Sequence, residues 1–91
     1  MATPLIVEDR LQFDGIATKG GVVLNGGRLL LRGEVIGDLT IKSGGQAVIH
    51  GTVNGIVIND GGLVDIFGTI DGLISPPGAM TFVDAGATVG T

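Results

Sequence analysis

Apolar and polar residues alternate along most of this chain, in short runs that are bounded by glycine. In GQAVIHGTVNG, residues 45–55, apolar side chains fall on every second position, which is the period of a β-strand with one buried face. Two similar runs precede and follow it: GRLLLRGEVIG begins at Gly27, and GLVDIFGTIDG begins at Gly62. The stretch is therefore one unit of a repeat.

Two independent glycine markers give the length of this repeat. The first glycine of each Gly-x-x-x-Gly recurs at spacings of 18, 18, 17 and 18, at Gly15, Gly33, Gly51, Gly68 and Gly86. A second marker, NGG, SGG and then DGG, begins at Asn25, Ser43 and Asp60 and keeps nearly the same spacing. A fixed period of this length without helical patterning predicts stacked β-strand units, the arrangement of a β-solenoid.

We therefore predict an all-β, single-domain parallel β-helix of triangular section, with about five coils, each of about 17–18 residues. Residues 1–12 are predicted to form an N-terminal tail or cap, and residues 13–91 the solenoid. The shortening of the repeat is placed after Gly55, beside a corner. The predicted core residues are Leu31, Val35, Ile41, Ile49, Val53, Ile58, Ile66 and Ile70. The predicted corner residues, chosen because glycine adopts positive φ without penalty, are Gly33, Gly37, Gly51, Gly55, Gly68 and Gly72.

Composition supports this fold and excludes several classes of protein. The chain is 44% hydrophobic, which is too apolar for a disordered protein, and its 18 glycines leave no window for a good helix. It has no cysteine, and it has no apolar run long enough to form a membrane-spanning helix. The opening MATPLIVEDRL lacks the features of a secretory signal, so we expect a cytoplasmic location.

Charge is distributed unevenly between the two halves of the chain. All five basic residues lie within the first 42 positions, and the remainder carries Asp60, Asp65, Asp71 and Asp84 without a lysine or arginine. The net charge of −4 argues against a nucleic-acid partner, because phosphate contacts require basic side chains. If sequence order follows the rod axis, the rod is electrically asymmetric.

The chain offers little catalytic chemistry. His50 is the only histidine, and the pattern supplies neither a nucleophile nor an orienting carboxylate for it, so we assign it to an outward ladder with Arg32 and Phe67. The outward Asp60, Asp65 and Asp71 do not repeat coil by coil as Ca²⁺ ligands would. GGVVLNGG, residues 20–27, lacks the Lys-Ser/Thr of a phosphate-binding loop. We predict no catalytic residue, cofactor or metal site, and hence no enzyme.

The segment LLLRGEVIGDLTIKSGGQAVIHGTVNGIVINDGGLVDIFGTIDGLI, residues 29–74, resembles the core of a bactofilin, a polymer-forming bacterial cytoskeletal protein. The resemblance extends over roughly residues 13–90. It implies a right-handed parallel β-helix whose copies stack end to end into filaments without nucleotide. Two features depart from the family pattern: the flanks are short, and MTFVDAG breaks the alternation in the last coil.

The leading functional hypothesis is a self-assembling structural scaffold whose main partner is another copy of itself. Its assembly residues are predicted to be Phe82 and Val89 in the last coil, with an outward strip of Leu30, Val48 and Phe67. That strip could equally receive a protein partner or a membrane surface. The alternatives are a small β-helical binding or immunity-type module and an extracellular passenger repeat. A hexapeptide-repeat acyltransferase is disfavoured, because a period of six between aliphatic residues is not evident.

Overall fold

The computed structural model describes residues 4–76 and 78–90. The described residues contain strands and turns and no helix. In chain order the strands are β1 (Leu5–Val7), β2 (Arg10–Phe13), β3 (Ile16–Ala17), β4 (Gly21–Val23), β5 (Arg28–Leu31), β6 (Glu34–Ile36), β7 (Leu39–Lys42), β8 (Gln46–Ile49), β9 (Thr52–Asp60), β10 (Leu63–Ile66), β11 (Thr69–Ile74), β12 (Met80–Val83) and β13 (Thr88–Val89).

Parallel pairing between successive turns of the chain arranges these strands on three faces. The first face consists of β2, β5, β8, β10 and β12, in that spatial order. The second face consists of β3, β6, the beginnings of β9 and β11, and β13. The third face consists of β1, β4, β7 and the ends of β9 and β11. The predicted all-β parallel solenoid of about five coils is confirmed.

The coils can be numbered from their strand on the first face. Coil 1 begins with β2, coil 2 with β5, coil 3 with β8, coil 4 with β10 and coil 5 with β12. Strand β1 precedes coil 1 and pairs with β4, so the solenoid already includes Leu5. The structure thus differs from the predicted boundary at residue 13, because the sparse glycine pattern of residues 5–12 hid two strands. Residues 1–3 of the predicted tail lie outside the described residues.

Inward side chains of the three faces form one apolar core. Of the predicted core residues, those with at most 1% of their surface exposed are Leu31, Val35, Ile41, Ile49, Val53, Ile66 and Ile70. Ile58 differs from the prediction: it is only half-buried and points outward, while its neighbours Val57 and Asn59 are fully buried.

The reversal at Ile58 follows from where the repeat is shortened. The whole of β9 keeps the longer spacing relative to coil 2, with Val35 beside Val53 and Leu39 beside Val57. The shorter spacing begins only after Asp60, since Gln46 pairs with Leu63. The shortening therefore lies at the next corner, and the predicted shortening after Gly55 was wrong. A displacement by a single position exchanges the inward and outward sets of a strand.

The corner glycines serve two different purposes. A Cβ on Gly51 would collide with the carbonyl oxygen of Gly33 in the coil below, and Gly33 and Gly68 have the equivalent surroundings. Of the predicted set of six, only Gly37 has positive φ, so the predicted reason was wrong for the other five. Positive φ occurs instead at the other marker, at Gly26, Gly44 and Gly61. At Gly33, Gly51 and Gly68 the first marker therefore reflects close backbone approach between coils.

Candidate assembly surfaces

Both ends of the rod expose strand edges. Among the described strands, β1, β2 and β3 pair only with the coil above them, and β12 and β13 pair only with the coil below. The end of β11 likewise pairs only with β9. Unpaired N–H and C=O groups on such an edge can form hydrogen bonds with another strand.

The N-terminal end of the core is apolar. Leu5, Leu11 and Phe13 point along the inward columns and pack against the buried cluster, but they are only half-buried. One coil further in, Leu29 and Leu31 have no exposed surface. Leu5, Leu11 and Phe13 therefore keep exposed apolar surface at this end, whereas Val7 and Ala17 on the terminal strands of the other columns are already buried.

The C-terminal end of the core contains a small polar network. Asn59 is 0% exposed, and its Nδ2 donates to the backbone oxygen of Met80 at 2.7 Å and to Oγ1 of Thr81 at 2.8 Å. The hydroxyls of Ser75 and Thr81 lie 2.9 Å apart. The Oδ1 of Asn59 is buried and has no hydrogen-bond partner among the described residues. The alternation of apolar and polar residues did not predict a buried Asn59, because the prediction placed its neighbour Ile58 inside and therefore Asn59 outside.

The predicted assembly residues of coil 5 occupy different positions. Val89 pairs with Ile70, is half-buried and packs against the core, so it contributes to the terminal layer. Phe82 pairs with Asp65, points outward from the first face and is 58% exposed. It therefore lies on the outer rim of the C-terminal end, while its neighbours Thr81 and Val83 occupy the inward columns.

The predicted outward strip of Leu30, Val48 and Phe67 is not continuous. Leu30 and Val48 are neighbours in one column and are half-buried, but the next residue of that column is Asp65. Phe67 lies at the corner beyond and stacks on His50, with ring centroids 4.9 Å apart and planes inclined by 10°. The structure thus places these three residues on two separate columns.

The structure shows an apolar stripe on the third face that was missing from the predicted assembly set. The outward column of this face holds a β-branched residue on every strand. Its members are Ile6, Val22, Thr40, Ile58 and Ile74. The terminal members are the most open, with Ile6 55% and Ile74 50% exposed. The sequence contains a signal for this stripe, because Val22, Thr40 and Ile58 follow one another at a constant spacing. The prediction missed the stripe because it assigned Ile58 to the core.

Charged groups on the surface make few contacts with one another. Lys42 and Asp60 form an ion pair at 3.3 Å with side chains 50% and 58% exposed, a pair of the kind that contributes at most about 1 kcal/mol. Arg28 donates to the side-chain oxygen of Gln46. Across residues 4–76 and 78–90 there is no group of three or more His, Asp or Glu that could hold a metal ion.

No protein-family model, curated protein or solved structure matches this chain. In the part of the chain that the structure describes, no helix has the length and apolar character needed to cross a bilayer.

Proposed function

We propose that this chain is a non-enzymatic structural protein that assembles end to end with other copies of itself, without nucleotide, in the manner of the bactofilins it resembles. The observation that carries the proposal is the state of the two ends, where unpaired strand edges surround a continuous core. A second copy placed on either end could extend all three faces at the usual strand spacing of about 4.8 Å.

Backbone pairing and apolar burial would act together in such a contact. The half-buried side chains of the N-terminal end gain a neighbouring layer, and so does Val89 at the C-terminal end. Burying apolar surface contributes about 25 cal/mol per Å², and each edge strand gains hydrogen bonds that replace those to water. Coils 4 and 5 carry Asp65, Asp71 and Asp84 and no lysine or arginine, so a contact between two C-terminal ends also brings like charges closer.

Blocking one hydrogen-bonding edge at a time tests the proposal. Directly after β12, the N–H of Asp84 donates to the backbone oxygen of Ile66 in β10, so the alternating N–H of Val83 points toward the free edge. Along β2 the backbone oxygens of Asp9, just before the strand, and of Phe13 accept bonds from the N–H groups of Arg28 and Arg32. The N–H of Gln12 therefore points away from β5, toward the free edge. Val83→Pro and Gln12→Pro each remove one such donor.

We expect the wild-type chain to sediment as large, concentration-dependent species and to form filaments in negative-stain micrographs. Val83→Pro or Gln12→Pro should reduce these to monomers or dimers with an unchanged β-type circular-dichroism spectrum. The matched controls Val83→Ala and Gln12→Ala keep the N–H and should assemble. Phe82→Arg, on the rim, should shorten the assemblies. A wild-type chain that stays monomeric at high concentration and at every salt concentration would contradict the proposal and favour the small binding module.

Mixing the two proline variants determines the polarity of the contact. If stacking is head to tail, each variant alone is monomeric and the mixture forms dimers through one free N-terminal and one free C-terminal end. If like ends meet, each variant alone forms a dimer through its own free end. Sedimentation velocity distinguishes these cases.

A further inference from the structure

Two arginines lie side by side on the outward surface of the first face, close to the N-terminal end of the rod. Arg10 of β2 pairs with Arg28 of β5, so both side chains leave the sheet in one column, one strand spacing of about 4.8 Å apart. They flank a hollow of about 220 Å³, whose other lining residues are Leu11, Gln12 and Leu30. Like charges at paired positions of neighbouring strands repel one another. An anion bound in the hollow would relieve this repulsion.

Both guanidinium groups have donors to spare for such an anion. Neither arginine forms an ion pair within residues 4–76 and 78–90. Arg28 donates from Nε and Nη2 to one neutral acceptor, the side-chain oxygen of Gln46, at 3.1 and 2.9 Å. Gln46 pairs with Arg28 from the side opposite to Arg10. This contact therefore holds the Arg28 side chain in place and leaves the hollow between the two arginines open.

The charge and shape of the hollow favour a phosphate group over a carboxylate. A phosphate group carries about −1.5 to −2 charges at pH 7 and has three acceptor oxygens, and the planar guanidinium fork binds it with two parallel N–H donors. One phosphate group can therefore accept from Arg10 and Arg28 together and balance both charges. A carboxylate has one charge and two oxygens, so it suits a single arginine.

The surroundings of the hollow limit the ligand to a small molecule. The chain carries a net charge of −4, and Asp9 and Asp14, directly before and after β2, are both exposed. A nucleic acid needs a row of phosphate contacts, and these carboxylates would repel the phosphates beyond the first. Leu30 is half-buried and gives the hollow an apolar wall, against which a short organic substituent could lie.

From these observations we propose that the hollow between Arg10 and Arg28 binds the phosphate group of a small phosphomonoester, with inorganic phosphate as its minimal ligand. The two side chains project from the outer surface and not from a strand edge. The inference therefore goes beyond the proposed end-to-end assembly and does not depend on it.

Equilibrium dialysis of the wild-type chain against radiolabelled inorganic phosphate tests the inference, because it measures binding whether or not the chain is assembled. Binding should saturate at about one phosphate per chain, and sodium chloride at equal ionic strength should not displace it. Acetate should compete only at concentrations at least tenfold higher than unlabelled phosphate. Glycerol phosphate should compete at least as well as inorganic phosphate. Binding that chloride abolishes, equal competition by acetate, or no competition by glycerol phosphate would overturn the assignment.

Three matched variants locate the site, because each removes the same single charge from an exposed arginine. Arg10→Gln and Arg28→Gln should each weaken phosphate binding at least tenfold. Arg32→Gln is the control and should change it less than twofold, since Arg32 does not line the hollow. Arg28→Lys keeps the charge without the fork and should bind with intermediate affinity. All four should keep the wild-type circular-dichroism spectrum, and equal weakening by Arg32→Gln would show a general charge effect and refute the site.

Discussion

Coil 3 and coil 5 lie in the middle and at the C-terminal end of the rod, and their inward positions differ. In coil 3 these positions hold Ala47, Ile49 and Val53, which have no exposed surface. The equivalent positions of coil 5 hold Thr81, Val83 and Val89, all of which retain exposed surface. A central coil is covered from both sides, whereas a terminal coil is covered from one side only, so the same repeat position demands an aliphatic residue in one and accepts threonine in the other.

The two coils also differ in how regularly they follow their neighbours. Coil 3 stays in register with coil 2 along all of β9, from Thr52 beside Glu34 to Asp60 beside Lys42. Coil 4 leaves the register of coil 3 after Ile70, so Gly72 pairs with Ile56. Coil 5 departs further from its neighbour: Met80 lies 17 positions after its partner Leu63, but Thr88 lies 19 positions after its partner Thr69. The solenoid absorbs these shifts at corners. We therefore expect substitutions in coil 3 to act on the whole domain and equivalent ones toward coil 5 to act locally.

The largest difference is expected for an inward charge. Ile49→Asp places a carboxylate in an apolar column without a partner, which should cost on the order of 4–5 kcal/mol and unfold a domain of this size. Thr81→Asp, two coils further in the same sheet, replaces a half-buried residue and should cost about 1–2 kcal/mol. Urea unfolding followed by circular dichroism measures both, because the chain lacks Trp and Tyr. A stable, soluble β-rich Ile49→Asp protein would refute the assigned register of β8.

A smaller difference is expected for the two kinds of glycine. In Gly51→Ala the new methyl meets the carbonyl oxygen of Gly33, so the coils must separate locally, at a cost of about 1–3 kcal/mol. Gly72 lies at the register shift, and the nearest atom to a Cβ there is Cγ1 of Ile56 at 3.5 Å. Gly72→Ala should therefore be neutral or stabilise by about 0.4–1 kcal/mol, through the entropy of the unfolded chain. Equal losses in both variants would show that close coil approach is not the reason for Gly51.

The sequence predicted the regular part of this fold better than its irregular part, for a physical reason. Val35, Ile49 and Ile66 could be placed inside because the glycine spacing and the alternation agree there. At residues 56–60 they conflict: hydrophobicity favours Ile56 and Ile58 inside, while the ladder with β7 puts Val57 and Asn59 there. The hydrogen-bonded register of the long strand β9 prevailed, and Asn59 was accommodated by partners in coil 5, which the sequence of coil 3 does not specify.

The surfaces were predicted less well than the core, and for the same reason. An error of a single position at Ile58 removed it from the outward column, so the apolar stripe went unnoticed. The predicted strip set Phe67 beside the column of Leu30 and Val48, and in the structure Phe67 stacks on His50 while Asp65 follows Val48. An outward column is predicted correctly only if the pairing register of every strand is correct. Most core residues, in contrast, are predicted correctly once the register of most strands is correct.

The smallest expected effect concerns Asn59, which connects the regular and irregular parts. In its column Val23 and Ile41 precede it, so Asn59→Val continues an aliphatic series. The substitution removes a buried Oδ1 without a partner, which favours folding by about 1–3 kcal/mol, and loses two hydrogen bonds of about 1 kcal/mol each. The free energy of global unfolding should therefore change by no more than about 1 kcal/mol.

The local consequence of Asn59→Val should nevertheless be measurable. Without the bonds to Met80 and Thr81, β12 is held mainly by its pairing with β10, so its amide protons should exchange about five-fold faster or more, equivalent to about 1 kcal/mol. Amides of β8, in coil 3, should keep their protection. Thr81→Val is the matched control, because it retains the bond from Asn59 to the Met80 carbonyl and should accelerate exchange in β12 less. If β12 exchanges at the wild-type rate in Asn59→Val, the buried amide does not hold coil 5 in place, and its burial is only a consequence of the register of β9.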